Sequence, residues 1–315
     1  PDGIKPYGAD ALRFCFCALG STGRDISFDL KRIEGYRNFC NKLWNASRFV
    51  YMTTKDYKYE GRLKFDNLTT YEKFIIAKLD DLVIEYKKHC TSYRFDLMAN
   101  SLYSFIWNEY CDWFVEISKV EIDNGNEYTK NVLIYTLQII LKLCHPIIPY
   151  ITEEIWNEMN SLGYTKDQIL MNAKFPSQQK IFKDGAIDIE VSLLKEFINK
   201  VRKTRSDLNV HPKIKIDLYC FSKHDLIQKF LSNNNSIICS LLKAETIYIN
   251  EDSFDIDECI TVSLENLKIY IPIKNTIDIK TEKERLLKSM VNLKVNLSKI
   301  EAKLNNKNFI EKAPS

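Results

Sequence analysis

The sequence is poor in the residues that punctuate a chain. Nine glycines and eight prolines in 315 residues argue against Gly-rich phosphate-binding folds and β-rich repeats, and leave room for long uninterrupted helices. No Cys-x-x-Cys pair occurs, and Cys15-x-Cys17 is too tight for a zinc half-site. The nine cysteines are odd in number and irregularly spaced. They read as reduced, small hydrophobes of a cytoplasmic protein rather than as a disulfide framework. No apolar stretch approaches the ~18 residues that span a bilayer. The longest, Val132–Leu143, is broken by Tyr, Thr and Gln. The start, Pro1-Asp2-Gly3, has neither a basic n-region nor an initiator Met. No signal peptide is expected, and the chain is expected to begin inside a longer protein. Net charge is small too: 45 Lys+Arg against 42 Asp+Glu leave +3, too little to announce a nucleic-acid binder from composition.

Catalytic constellations are missing as well. His89, His145, His211 and His224 lie far apart, none with a Cys, Asp or Glu at metal-ligand spacing. His145 precedes a proline at a helix end, where a capping role fits better than ligation. There is no Gly-rich phosphate loop and no Gly-x-Ser-x-Gly elbow. Asp80-Asp81 and Glu153-Glu154 face different sides of a helix or sit in its first turn, where they favour the macrodipole over acid–base work. No catalytic residue and no metal ligand is therefore assigned.

What the chain does have is helical periodicity. The length fits about two domains, and 45% apolar with 28% charged residues is ordinary for a globular protein. A short helix is expected over Ala9–Gly20. Asp29 then caps a long one over 30–53, with Tyr36, Phe39, Cys40, Leu43, Ala46, Ser47 and Val50 on one side. Further helices are expected at 70–90, 93–119, 128–145 and from Pro149 through Trp156, which together read as a mainly α, helical-bundle domain. A helix at 187–208 follows. After Pro212 the period switches to two at Ile214, Ile216 and Leu218, with similar short runs at 246–250, 260–264 and 268–273 and helical pieces near 224–243. This reads as a small α+β domain. Last, Leu286, Met290, Leu293, Leu297, Ile300 and Leu304 form an a/d heptad seam. It is too short to stand alone, so it is expected to be the first helix of a coiled-coil hairpin cut by the chain end. The boundaries expected are 1–29 for a junction segment, 30–178 for the bundle, 179–277 for the α+β domain and 278–315 for the truncated coiled coil.

The charge is segregated along the chain. Residues 30–50 carry +4, residues 195–215 carry +5 and residues 280–315 carry +5, leaving −11 elsewhere. Basic segments on helices are what phosphate backbones attract. On the long helix Arg37, Asn41, Trp44 and Arg48 form a stripe nearly opposite the apolar one. A flat aromatic can stack on an unpaired base, and Asn41 or Asn45 offers both donor and acceptor to its edge. The same stripe also fits a solvated face with Trp44 in the core. For residues 195–215 the plainer reading pairs Arg202 and Arg205 with nearby acids, and for the heptad helix it is a strut.

The same residues carry a family resemblance over essentially the whole chain. Thr22-Gly23-Arg24-Asp25-Ile26 followed by Arg32–Phe49, with its run Asn41-Lys42-Leu43-Trp44-Asn45-Ala46-Ser47-Arg48-Phe49, resembles the start of the anticodon-binding domain of bacterial-type valyl-tRNA synthetases. Tyr7-Gly8-Ala9-Asp10-Ala11-Leu12-Arg13-Phe14 resembles the segment that follows the catalytic core in class I synthetases. Tyr93–Leu97, Trp107–Trp113, His145–Trp156, Val201-Arg202, Asn209–Pro212 and Asn308–Pro314 are similar to later parts of the same family. The His-Pro…Glu-Glu-Ile-Trp pattern is shared with the isoleucyl, leucyl and methionyl relatives. The Asn-Lys-Leu-Trp run and the coiled-coil end favour the valyl branch, since the isoleucyl one is expected to end in a zinc module.

The resemblance implies an enzyme that activates valine with ATP and Mg and esterifies it to tRNA(Val). Neither the His-Ile-Gly-His-type nor the Lys-Met-Ser-Lys-Ser-type ATP signature is present here. The chain is thus expected to be the tRNA-docking part, catalytically inactive and without a cofactor of its own. Its expected partners are tRNA(Val) and the catalytic and editing domains of the same polypeptide, in a monomeric, cytoplasmic protein without membrane contact. The RNA-binding residues implied are Lys31, Arg37, Asn41, Trp44, Asn45, Arg48 and Phe49. A stand-alone tRNA-binding module, the isoleucyl relative and a helical scaffold with no RNA role are the competing readings.

Overall fold

A computed structural model describes residues 6–21, 29–178, 184–211, 213–251, 259–272 and 279–304. The chain divides into two compact units, Pro1–Leu194 and Lys195–Ser315.

The first unit is a helical bundle of α1 (Ala9–Leu19), α2 (Leu30–Thr54), α3 (Thr70–Thr91), α4 (Phe95–Ser104), α5 (Val115–Asp123), α6 (Tyr128–Cys144) and α7 (Pro149–Ser161). Local chemistry sets the helix starts. The Asp29 carboxylate accepts the Lys31 N–H at 2.9 Å and caps α2. Thr69 and Glu72 close a reciprocal capping box on α3. Pro149 occupies the first turn of α7, where its missing N–H costs nothing. Helix α6 is the central element, with Val132, Leu133, Ile134, Leu137, Ile140 and Leu141 fully buried. Its buried Asn131 accepts the Glu60 N–H and donates to the Arg62 carbonyl, so the loop after α2 finds backbone partners in the core.

The helix expected unbroken over 93–119 is different in the structure. Between α4 and α5 lies a π-helical segment, Phe105–Phe114. Its buried pairs Phe105/Tyr110 and Ile106/Cys111 are five residues apart, the spacing that stacks on a π turn rather than on an α turn.

The helix α8 (Gly185–Asp207) carries the chain past the division into the second unit. There a four-stranded sheet runs in the order β2-β1-β4-β3. Strand β1 (Ile216–Phe221) pairs parallel with β2 (Ala244–Ile249) and antiparallel with β4 (Leu267–Pro272), and β4 pairs antiparallel with β3 (Cys259–Leu264). The helices α9 (Asp225–Asn233) and α10 (Asn235–Leu242) form the crossover that a parallel pair requires. The strand expected from Ile214 begins at Ile216, because the Ile214 carbonyl accepts Arg205 Nη2 at 2.8 Å. Helix α11 (Ile279–Leu304) contains the heptad seam, and Met290, Leu293, Leu297 and Ile300 on it are exposed. The observed class is the mainly α bundle with a small α+β part that the periodicity implies.

Candidate nucleic-acid interface

The site is built on α2, whose 25 residues make a rod of about 37 Å at 1.5 Å per residue. One side is anchored in the bundle by Ile33, Phe39, Cys40, Leu43, Ala46 and Val50. Polar residues hold it at its C-terminal end and along its flank. Tyr51 Oη donates to the Ile155 carbonyl at 2.7 Å, and Tyr164 Oη donates to the Thr54 carbonyl. The Lys42 ammonium lies 2.5 Å from Asp112 on the π segment and 3.8 Å from the Trp107 ring centroid. Trp107 in turn stacks on Tyr103 at 5.5 Å, and Tyr103 on Phe39 at 5.1 Å. Lys42 is therefore spent on holding α2 to the π segment, although it lies inside the basic run.

The seven candidate residues do not form one patch. Lys31, Asn41, Asn45 and Arg48 are exposed. Trp44 and Phe49 are half-buried and packed against the bundle core, and Lys119 Nζ sits 5.3 Å from the Phe49 ring centroid. Arg37 is half-buried, 3.8 Å from the Glu34 carboxylate, with its guanidinium 5.5 Å from the Tyr7 ring centroid. Its Nε is shielded from solvent and has no hydrogen-bond partner. Arg37 and Asn41 line a cleft of ≈ 380 Å³ with Tyr7, Asp10 and Tyr150. Asn45 and Arg48 lie about one and two turns beyond Asn41 along the helix.

Sequence reasoning passed over Met52. It is 76% exposed and continues the line Asn41, Asn45, Arg48 at the next helical step. The i+4 spacing from Arg48 is the signal that marks it.

The cleft is shaped by a clasp between two distant motifs. The Asp10 carboxylate, buried at the start of α1, accepts the Ile151 N–H at 2.7 Å and the Tyr150 N–H at 3.4 Å. One turn on, Arg13 donates from Nε to the Ile147 carbonyl at 2.8 Å and from Nη2 to the Pro146 carbonyl at 3.0 Å. An acid thus meets the N–H groups at the head of α7, and a base meets the carbonyls of the turn before it. His145, at the end of α6, faces Thr152 Oγ1 at 2.9 Å through Nδ1, which ties the same turn from inside.

Arg202 and Arg205, in the second basic run where acids are the expected partners, reach backbone carbonyls. Arg202 Nη2 donates to the Leu241 carbonyl at 3.0 Å. Arg205 donates to the carbonyls of Leu242, His211 and Ile214. The carbonyls at the end of α10 have no partners within their own helix, and this end is the negative pole of its dipole. Burial lowers the Arg205 pKa.

Among the described residues no group of His, Cys, Asp or Glu is arranged to hold a metal ion. Among them, too, no helix is long and apolar enough to cross a membrane.

Two family profiles match the chain. One, described as the anticodon-binding domain of tRNA ligase, covers residues 72–220; the other, described as the valyl tRNA synthetase tRNA binding arm, covers residues 278–315. Curated relatives named valine–tRNA ligase align along all of it. The one from Buchnera aphidicola subsp. Acyrthosiphon pisum (strain APS) is 38% identical over 322 residues, covering 100% of this chain and 33% of the relative. That from Francisella tularensis subsp. tularensis (strain SCHU S4 / Schu 4) is 37% identical, covering 100% of this chain and 34% of the relative. That from Xanthomonas oryzae pv. oryzae (strain PXO99A) is 38% identical, with 100% and 33% covered. A solved structure, the ternary complex of Agrobacterium radiobacter K84 agnB2 LeuRS with tRNA and LeuAMS, superposes at a TM-score of 0.45 and 11% identity, over 73% of this chain and 26% of that one. The chain spans about a third of the length of the curated relatives it matches. Along its whole length the chain is thus similar to about a third of valine–tRNA ligases, and its matched segments are those described as the anticodon-binding domain of tRNA ligase and the valyl tRNA synthetase tRNA binding arm.

Proposed function

We propose that this chain docks tRNA(Val) for a valine–tRNA ligase, with the outer face of α2 against the anticodon loop. The observation that carries the reading is the solvent-facing line of Asn41, Asn45 and Arg48 on a helix whose opposite side is locked into the bundle. Amides and a guanidinium in such a line reach base edges and phosphates together. Lys31 adds charge at the head of the helix. Trp44 and Phe49, on its flanks, each keep part of a ring accessible for stacking on an unpaired base. Arg37 belongs to the cleft with Tyr7 and Tyr150, and contacts a neighbouring nucleotide from there.

In the full enzyme, catalytic and editing domains outside this chain activate valine with ATP and Mg and transfer it to the tRNA. This chain alone performs no aminoacylation. The protein is monomeric and cytoplasmic, and α11 is one arm of a coiled-coil hairpin that leans on the outer corner of the tRNA. The working divisions are 1–29, 30–178, 179–277 and 278–315.

The deciding experiment is equilibrium binding of tRNA(Val) and of the same tRNA with changed anticodon bases, at two salt concentrations. Tighter binding of the unaltered tRNA, with a steep salt dependence for both, is expected. Equal affinity for the two RNAs would leave only non-specific charge and overturn the reading.

A further inference from the structure

A second cleft of the helical bundle, ≈ 390 Å³, opens between α1, the end of α6, the turn after it and the segment that follows α7. It shares no lining residue with the cleft of Arg37. Phe175 lines it and is 42% exposed. The buried Tyr86 of α3 braces that ring, with centroids 5.6 Å apart, and Lys87 Nζ stands 5.7 Å from the Phe175 centroid. A braced ring that stays accessible is a platform for a base, and a cation alongside strengthens the contact. Lys142 lines the cleft as well. Its ammonium lies 5.6 Å from the Trp156 ring centroid and forms no ion pair among the described residues. Burial lowers its pKa, and the Asp167 charge works in the other direction. An ammonium so placed gains from an anion that reaches it. Arg13 is a wall residue too, but its guanidinium is committed to the Ile147 and Pro146 carbonyls, so the available positive charge is that of the two lysines.

The remaining polar wall is made of acceptors. Thr152 Oγ1 donates to the Ile148 carbonyl at 2.8 Å, so it accepts from His145 Nδ1–H at 2.9 Å. That leaves Nε2 of the neutral ring as an acceptor. Nε2 is shielded from solvent and has no hydrogen-bond partner. Glu153 Oε2 lies 3.8 Å from it, while Oε1 of the same carboxylate accepts the Leu170 N–H at 3.1 Å. Two acceptors side by side call for a donor with two hydrogens, and an amino group is such a donor.

We propose that this cleft binds one nucleotide whose base carries an amino group, with the base on Phe175, the amino group towards His145 and Glu153, and the phosphate towards Lys142 and Lys87. An unpaired position of an RNA strand and a free mononucleotide present the same chemistry. The strand is the source that suits the docking function above. The cleft itself stands apart from the α2 face and does not depend on where the anticodon binds.

The test uses the full chain, unmodified and with Phe175→Leu or Lys142→Gln. Phe175→Leu keeps an apolar side chain and removes the ring; Lys142→Gln removes the charge, and keeps the test open should the first variant melt early. One arm titrates AMP and IMP, which carries a carbonyl in place of the AMP amino group, and follows the His145 ring resonances. A saturable shift with AMP, several-fold weaker with IMP and weakened about fivefold or more in either variant, is expected. No saturable shift, or equal affinity for AMP and IMP, would overturn the proposal. The other arm measures tRNA(Val) and an anticodon-changed tRNA on the same three proteins. An equal loss of about fivefold or more for both RNAs, the low end for a base–aromatic contact, with the anticodon preference intact, assigns the cleft to a nucleotide of the strand. Unchanged tRNA affinity alongside AMP binding assigns it to a free nucleotide. Absence of tRNA binding by the unmodified chain would remove the docking function and leave the AMP result to decide the cleft by itself.

Discussion

The Asp10 carboxylate accepts the backbone N–H of Ile151 from 141 residues away in the chain, at 2.7 Å. Helix α7 has no side-chain cap of its own, and an acid on another helix does that work. Asp10→Ala should therefore behave as a lost N-cap in a buried setting and cost about 1–2 kcal/mol. Asp10→Asn, which keeps one acceptor, should cost less. Urea unfolding of the two variants checks the order.

Arg48→Ala should weaken tRNA(Val) binding without changing the unfolding midpoint, because the side chain is exposed and supports no packing. Trp44→Ala should do both. It removes a stacking surface, on the scale of about 1–3 kcal/mol for a base–aromatic contact, and it opens a gap beside the core that Trp44 packs against. Binding and thermal melts on the same samples separate the two effects. An Arg48→Ala protein with full affinity would remove Arg48 from the interface.

Arg205 is 7% exposed and serves three carbonyls. Arg205→Lys supplies a point charge where a planar fork is required. Arg205→Met supplies nothing to the carbonyls. Both should destabilise the protein, Met by about 2 kcal/mol or more. Chemical denaturation followed through the tyrosines of the sheet reads this.

The bidentate pair of Arg94 and Asp96, at 2.8 and 2.7 Å, gives a pH signature. The Arg94 hydrogen bond holds the Asp96 carboxyl at about 2, below its ordinary 3.8. The folded form thus binds the proton less readily than the unfolded one. The pair's stabilisation is complete above about pH 4 and is lost as pH falls towards 2. The stability gap between the unmodified protein and Asp96→Asn should be flat from neutral pH to about 4 and narrow below it. A gap independent of pH down to 2 would contradict the assignment.

Thiol chemistry should sort by burial. Cys90 is exposed, whereas Cys40, Cys111 and Cys220 are buried and desolvation pushes each up to about 12. Alkylation of the native protein at pH 8 should mark Cys90 early and leave these three until unfolding. Peptide mass mapping over time shows the order.

Much of the bundle was legible in the sequence, because α2, α3 and α6 each repeat an apolar face at helical spacing. So was the Asp29 cap, a side chain acting two residues away. The clasp was not. Asp10-Ala-Leu-Arg13 and His145-Pro146 are visible as separate runs, but their partners are backbone groups, which have no signature in side-chain identity. The same reason hides the carbonyl partners of Arg202 and Arg205. Strand existence could be read from alternation at Ile216–Leu218, while the order β2-β1-β4-β3 depends on pairings across the whole unit. On α2 the period marks a stripe Arg37, Asn41, Trp44 and Arg48, whereas the exposed line runs Asn41, Asn45 and Arg48 because Trp44 packs against the core. That Lys42 is tied to Asp112 while Arg37 turns to Tyr7 depends on neighbours from other helices.

The π segment carries a consequence for how this protein tolerates change. It is a phase adjuster in a continuous rod from Phe95 to Asp123. Helix α4 buries Met98, Ala99 and Leu102, and α5 opens with the buried Val115. All four lie in one core cluster, and the wide turns between them absorb a fixed excess of backbone. Removing a single residue from Phe105–Phe114 would turn α5 by about 100° relative to α4. Val115 would swing out of the core that it shares with α4. Substitutions along this stretch change side chains one at a time, but an insertion or deletion there changes the aim of everything that follows.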